Sequence, residues 1–171
     1  MKKTIALCCL WAVLFIQNIN SQELGALHTD RNGGFTISMP FGWQAENVGL
    51  RFMSLRRPNS FIPNIAFVNE DFSGPVSAYI DRTMNTFVTS PLFSGFRLIN
   101  RSSFRTNAGL VGESITYLLT KGNVQVRQKM YVFPNRRGTA VIEITGTAPA
   151  AGGERYDAIF DASVRTFNWT R

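Results

Sequence analysis

Acid-base or nucleophilic chemistry needs a histidine, a thiol or a perturbed carboxylate held against a partner, and few residues of this 171-residue chain qualify. His28 is the only histidine, and it falls in the polar stretch 22–33, which reads as a flexible tail. A triad, an imidazole metal site or proton shuttling by this ring is therefore not expected. Cys8 and Cys9 are the only thiols, and both lie in a hydrophobic segment close to the N-terminus. Glu113 is the carboxylate that stands out. It shares strand parity with Val111, Ile115, Tyr117 and Leu119, which points it toward an apolar face, where burial would raise its pKa and suit it to acid or base work. Its place beside Gly112 at the start of a strand also lets it reach water or pair with an arginine. Glu70-Asp71 and the pair Asp157 and Asp161 have no histidine partner and no calcium-loop spacing, and they read as a loop and a solvated helix face. No catalytic residue, metal ligand or cofactor is assigned.

Binding chemistry has more candidates. Gln125, Arg127 and Lys129 alternate with Val124, Val126, Met130 and Val132, so one face of that strand is polar and basic. Glu143 is expected on the same polar face through the neighbouring strand. The face is then either an exposed sheet surface closed by a cross-strand ion pair or a basic docking surface, which Arg136 and Arg137 would extend at a hairpin tip. Leu92, Phe93 and Phe96, set among Pro91, Ser94 and Gly95, form an apolar cluster. It either packs under a helix end or, if exposed, marks a partner or membrane contact. Trp43 and Trp169 are expected to plug the ends of a sheet. Gly152-Gly153 could offer helix N-terminal amides to an anion but lacks the lysine of a phosphate loop.

The elements that would hold these residues follow from periodicity. Phe35, Ile37 and Met39 alternate with Thr36 and Ser38, which predicts a half-buried strand ended by Pro40-Phe41-Gly42-Trp43. Further strands are expected over 50–57, 61–68 and 96–104, with Pro63 suggesting an edge or a bulge. Strands over 111–120, 124–133 and 139–147, joined by Lys121-Gly122-Asn123 and by 134–138, should form an antiparallel meander. Val76, Tyr79, Ile80, Met84, Phe87 and Val88 make one stripe of a helix over 75–88, with Pro75 in its first turn and Ser73 or Gly74 as its cap. A last helix over 154–166 puts Tyr156, Ile159, Phe160, Val164 and Phe167 on one face. The fold class is α+β: a central antiparallel sheet of about six or seven strands with two main helices packed on it.

Residues 1–21 have the three parts of an export signal: Lys2 and Lys3, an apolar run from Ile5 to Ile16, and the polar segment Gln17-Asn18-Ile19-Asn20-Ser21. The apolar run is too short for a stable membrane span, which needs roughly 20 such residues. The expected organisation is a signal at 1–21, a flexible tail at 22–33 and one domain at 34–171. Cleavage removes both cysteines, leaving no thiol for a disulfide, a zinc-thiolate site or a nucleophile. Lipid anchoring is not expected, because Leu7 is bulky where a small residue is needed before Cys8. The whole chain carries +7; without Lys2 and Lys3, sixteen basic residues face eleven acidic ones, or +5. Such a surface suits anionic partners such as headgroups, envelope polymers or an acidic protein, and export argues against nucleic acid.

Phe35-Thr36-Ile37-Ser38-Met39-Pro40-Phe41-Gly42-Trp43, Pro63-Asn64-Ile65, Gly109 with Gly112, and Ala140-Val141-Ile142-Glu143-Ile144-Thr145-Gly146-Thr147-Ala148 recur in an order that resembles PsbP-like domains. Tyr156, Phe160, Ser163 and Phe167-Asn168-Trp169 continue the resemblance. That fold is shared by the extrinsic PsbP protein of photosystem II, Ran-binding Mog-type import factors and exported bacterial domains. The resemblance implies a sheet with helices on both faces, and binding rather than catalysis, with no shared site to carry over. The expected function is that of an exported, non-catalytic binding or accessory protein of the bacterial envelope, in the periplasm or outside the cell. Its partner would be a protein or an anionic envelope component, with peripheral membrane contact as an option and a monomer as the expected state. A small-ligand or lipid carrier with a pocket between sheet and helix, and an enzyme using Glu113, are the alternatives.

Overall fold

The computed structural model describes residues 22–46, 50–54 and 61–170. The signal expected at 1–21 and the last part of the strand expected over 50–57 lie outside the described residues. Alternation builds the first hairpin. In β2 (Phe35–Pro40), Phe35 and Ile37 turn inward and are fully buried, while Thr36 and Ser38 between them stay partly open. Antiparallel to it runs β1 (Leu24–Asp30), joined by a turn in which Asp30 Oδ1 accepts the Gly33 N–H at 2.8 Å and Gly34 takes a left-handed φ of 69°. The flexible tail expected at 22–33 is thus corrected to a strand. Its lack of apolar alternation has a physical cause: β1 is an edge strand whose register slips between Leu24 and Leu27, with most of its side chains, both leucines included, in solvent. His28, placed in that tail from the sequence, stands edge-on to the buried Phe52 ring at 5.4 Å. The closing strand β10 (Asn168–Trp169) pairs with the other side of β2 to complete a three-stranded sheet.

The larger sheet has seven antiparallel strands: β3 (Gln44–Glu46), β4 (Arg51–Met53), β5 (Asn64–Asp71), β6 (Phe93–Arg105), β7 (Val111–Lys121), β8 (Val124–Pro134) and β9 (Ala140–Pro149). Their spatial order is β3-β4-β5-β9-β8-β7-β6, so the meander from β6 to β9 forms one half of the sheet and β5 docks on its last strand. The α+β class and the antiparallel sheet of about seven strands are as expected from the sequence, with one difference. The Phe35 strand belongs to the small sheet instead of the large one. Pro63 precedes β5 and is buried, at neither a bulge nor an edge.

Two helices close the faces. The first, α1 (Val76–Thr89), starts at Pro75, whose φ of −67° suits a helix entry, and no side chain caps it. It brings Tyr79 and Ile80 onto Ile115, Tyr117, Leu119, Met130 and Val132. The second, α2 (Asp157–Arg165), follows a 3-10 turn at Gly153–Tyr156 and covers the opposite face together with β2. There Phe35, Ile37, Phe160, Val164 and Phe167 meet Ile65, Tyr131, Phe133, Ile142 and Ile144. Each such fully buried side chain contributes about 1.5–3 kcal/mol of burial free energy. Gly146 sets how closely α2 approaches, since a Cβ there would stand 2.5 Å from the Phe160 ring. Ser163, fully buried on α2, donates to the Ser38 carbonyl of β2 at 2.6 Å and ties helix to small sheet.

Candidate functional site

Strand alternation puts Arg127, Lys129, Tyr131 and Phe133 on the face of β8 that α2 covers. Arg127 Nε and Nη2 donate to the two Asp157 oxygens at 3.0 and 2.6 Å, a bidentate pair. Lys129 Nζ lies 2.8 Å from Asp161 Oδ2, and the Tyr131 hydroxyl donates to Asp161 Oδ1 at 2.6 Å. The match is geometric: two residues along a strand span about 6.8 Å, close to the roughly 6 Å of four residues along a helix. Bonding to Asp157 raises the Arg127 pKa, and burial raises that of Tyr131. The open basic face expected here is therefore corrected to a helix-sheet contact. Asp157 and Asp161, read as a solvated helix face, are its acidic half. Arg127 and Lys129 keep only 15% and 14% of their side-chain surface, which leaves little for a partner to touch.

Arg136 and Arg137 have a different setting. Asn135 accepts at its side chain from the Arg137 and Thr139 N–H groups, at 3.1 and 3.0 Å, and its own N–H donates to the Ala140 carbonyl at 2.8 Å. That network leaves a four-residue tip, Arg136-Arg137-Gly138-Thr139, with Gly138 left-handed at φ 68°. The tip faces the β1-β2 turn and the residues at the end of β10, Trp169 and Thr170. Between them lies an open cleft of about 570 Å³, lined by Asn32, Gly33, Gly34, Asn135, Arg136, Arg137, Thr139, Trp169 and Thr170. Arg136 Nη2 donates to the Trp169 carbonyl at 3.1 Å, and the Thr170 N–H donates to the Gly34 carbonyl at 2.8 Å, so the three segments brace one another. Both arginines are exposed, and among the described residues neither meets a carboxylate. The arrangement can offer two guanidiniums beside main-chain and asparagine polar groups to an anion.

The apolar trio is split. Phe93 stands edge-on to Phe87 at 5.1 Å, and Phe96 lies tilted against it at 5.7 Å and 5.6 Å from Tyr117, so both seal the end of α1 against the sheet. Leu92 alone of the three is open, at 77% exposure. A second cleft, about 320 Å³, lies at the far edge of the large sheet among Gln44, Glu46, Arg51, Met53 and Ile62. Trp43 stands edge-on to Phe160 at 6.4 Å and Trp169 edge-on to Phe167 at 5.1 Å, both at the rim of the α2-side core.

The carboxylates Glu70, Glu113 and Glu143 fall on the α1 face. Glu113 does share that face with Ile115 and Tyr117, and it accepts from Arg101 Nε at 2.8 Å, while Arg101 also reaches Asp81 on α1. This is the structural arginine pairing, and neither cleft contains Glu113. Glu143 lies opposite Val132 and so faces α1, away from Arg127 and Lys129, which overturns the shared polar face expected from the sequence. The Tyr79 hydroxyl stands 2.9 Å from Glu70 Oε2 and 3.1 Å from Glu143 Oε2. Thr145 donates to the other Glu143 oxygen at 2.9 Å, and Glu70 pairs with Arg82. Burial raises the Glu143 pKa, with the charge of Glu70 adding to it, against the opposing bonds from Thr145 and Tyr79. This cluster was not singled out from sequence, since Tyr79 reads there as a plain member of an apolar stripe.

No family model matches the chain, and no curated protein does. Solved structures do match. Cyanobacterial PsbP (CyanoP) from Synechocystis aligns with a TM-score of 0.59 at 17% identity, covering 89% of this chain and 95% of that one. LpqN of Mycobacterium tuberculosis, described as involved in cell envelope biogenesis, aligns at 0.59 and 14% identity over 80% of this chain and 83% of that one. The Ran-binding protein Mog1p of Saccharomyces cerevisiae aligns at 0.59 and 8% identity over 86% and 96%. With the seven-stranded sheet, the small second sheet and a helix on each face, the chain has the PsbP/Mog1-like fold.

Proposed function

We propose that this chain is an exported, non-catalytic binding protein of the bacterial envelope, which docks a protein or an anionic envelope component at the cleft between the β8-β9 tip, the β1-β2 turn and β10. The observation that carries the reading is the pair Arg136 and Arg137, exposed at the rim of that cleft and without a carboxylate among the described residues. The other two basic residues singled out from the sequence, Arg127 and Lys129, hold α2 in place, so docking falls to the tip. The export signal read at 1–21 and the net +5 of the remainder support a basic protein acting outside the cytoplasm. Proteins of the same fold described as Ran-binding and as involved in cell envelope biogenesis support binding as the kind of activity.

The test is affinity capture from the cell's own envelope fraction with the mature protein and with Arg136→Glu/Arg137→Glu. Both positions are exposed, so the double variant should keep its melting temperature within a few degrees. Capture of a specific component should fall at least tenfold. Equal capture by a folded double variant would overturn the proposal.

A further inference from the structure

The far edge of the meander carries a second, independent feature. β6 is the last strand of the large sheet, thirteen residues long, and one side of its main chain pairs with β7. Register slips between Ser94 and Arg97 and between Leu98 and Asn100, but residues 100–105 pair one to one with their partners on β7. Along 97–104, no described hydrogen bond engages the other side of the main chain, and Leu98 and Ile99 are 42% and 41% exposed. An edge of this length is a template for another strand.

Its charge is one-sided. The strand holds Arg97, Arg101 and Arg105 and no acid. Arg101 is committed to Glu113 and Asp81. Arg97 and Arg105 have no ion-pair partner among the described residues, nor does Arg165, which lies over the Phe104 ring at 5.0 Å and donates to the Arg105 carbonyl. Arginines on an edge discourage self-pairing. An antiparallel copy centred on Arg101 would set the three arginines of one strand beside the three of the other with no acid between them. The same charges attract a strand of opposite sign.

We propose that the outer edge of β6 docks an extended acidic segment of a partner protein, which adds to the sheet beside residues 100–105 with carboxylates on both of its faces, one set toward Arg97 and Arg165 on the α2 side and the other toward Arg105 on the α1 side. The probe is a capped eight-residue peptide of two Glu-Glu-Val-Val repeats, which puts glutamates on both faces of a strand, with the corresponding lysine-valine peptide as its control. At saturating acidic peptide, exchange of alternate amides over residues 100–105 should slow at least tenfold. Arg97→Glu/Arg105→Glu should weaken binding at least tenfold, whereas Arg136→Glu/Arg137→Glu should leave it unchanged, which separates this edge from the cleft. Unaltered exchange in β6, equal binding of the lysine-valine peptide, or protection of the edge by self-association without peptide would each overturn the proposal.

Discussion

The Tyr79 hydroxyl has one proton and two carboxylate neighbours, Glu70 at 2.9 Å and Glu143 at 3.1 Å. If both acids are ionised, one phenol must serve two like charges. A proton on Glu143 removes the conflict, because that carboxyl can then donate to Tyr79 while Tyr79 donates to Glu70, itself paired with Arg82. The groups facing Glu143 agree with this: Glu70 from β5, Tyr79 from α1 and the buried Tyr117 from β7 supply no cation, and Thr145 donates from its own strand. A carboxyl whose folded pKa is raised binds more protons folded than unfolded. Its contribution to stability is therefore full at pH below the ordinary glutamate value and is lost as pH climbs through the raised one. Denaturation measured from pH 4 to 8 should show that decline, and Glu143→Gln should flatten it; an identical slope in the variant would refute the assignment. Tyr79→Phe removes the shared donor and should cost about 1–2 kcal/mol at neutral pH. None of this was readable beforehand, because the face of Glu143 hangs on one residue of loop length. A five-residue connection at 134–138 would keep strand parity across the hairpin, whereas the observed four-residue tip flips it.

At the scale of elements, the strands and helices were legible because their apolar alternation and stripes are strong, but the seating of α2 was not. Asp157 and Asp161 flank the stripe of Phe160 and Val164, at positions a helix places on the same side, and only the docked sheet decides whether they meet water or Arg127 and Lys129. Asp157→Ala would leave the Arg127 guanidinium mostly buried without its partner, and urea denaturation should show a loss approaching about 3 kcal/mol. Gly146 is the other constraint on this contact. A methyl group there collides with the Phe160 ring, so Gly146→Ala should cost about 1–3 kcal/mol by overpacking and loosen α2. Near-UV circular dichroism, which reports the Phe160 and Trp43 environments, should change with it. Unchanged stability in either variant would contradict a tightly seated α2.

The whole molecule joins segments that lie far apart in the chain. The cleft combines the turn after β1, the tip between β8 and β9 and the residues around β10, and no sequence period or motif links them. Arg136 and Arg137 were legible as a basic tip, but their companions Asn32, Gly34 and Trp169 were not. Likewise the tail was not legible as β1 because an exposed edge strand with a slipped register need show no apolar alternation. The larger plan was readable, since seven strands and two helices could be read from the sequence and their order leaves few topologies. The central claim is that a ligand docks at this cleft through the tip arginines. Hydrogen exchange on a chain spanning 22–171, free and bound to a component captured from an envelope fraction, tests it most directly. Slowed exchange concentrated at residues 31–35, 135–140 and 168–170 is the expected footprint; protection confined to any other surface, with these segments unchanged, would contradict the account.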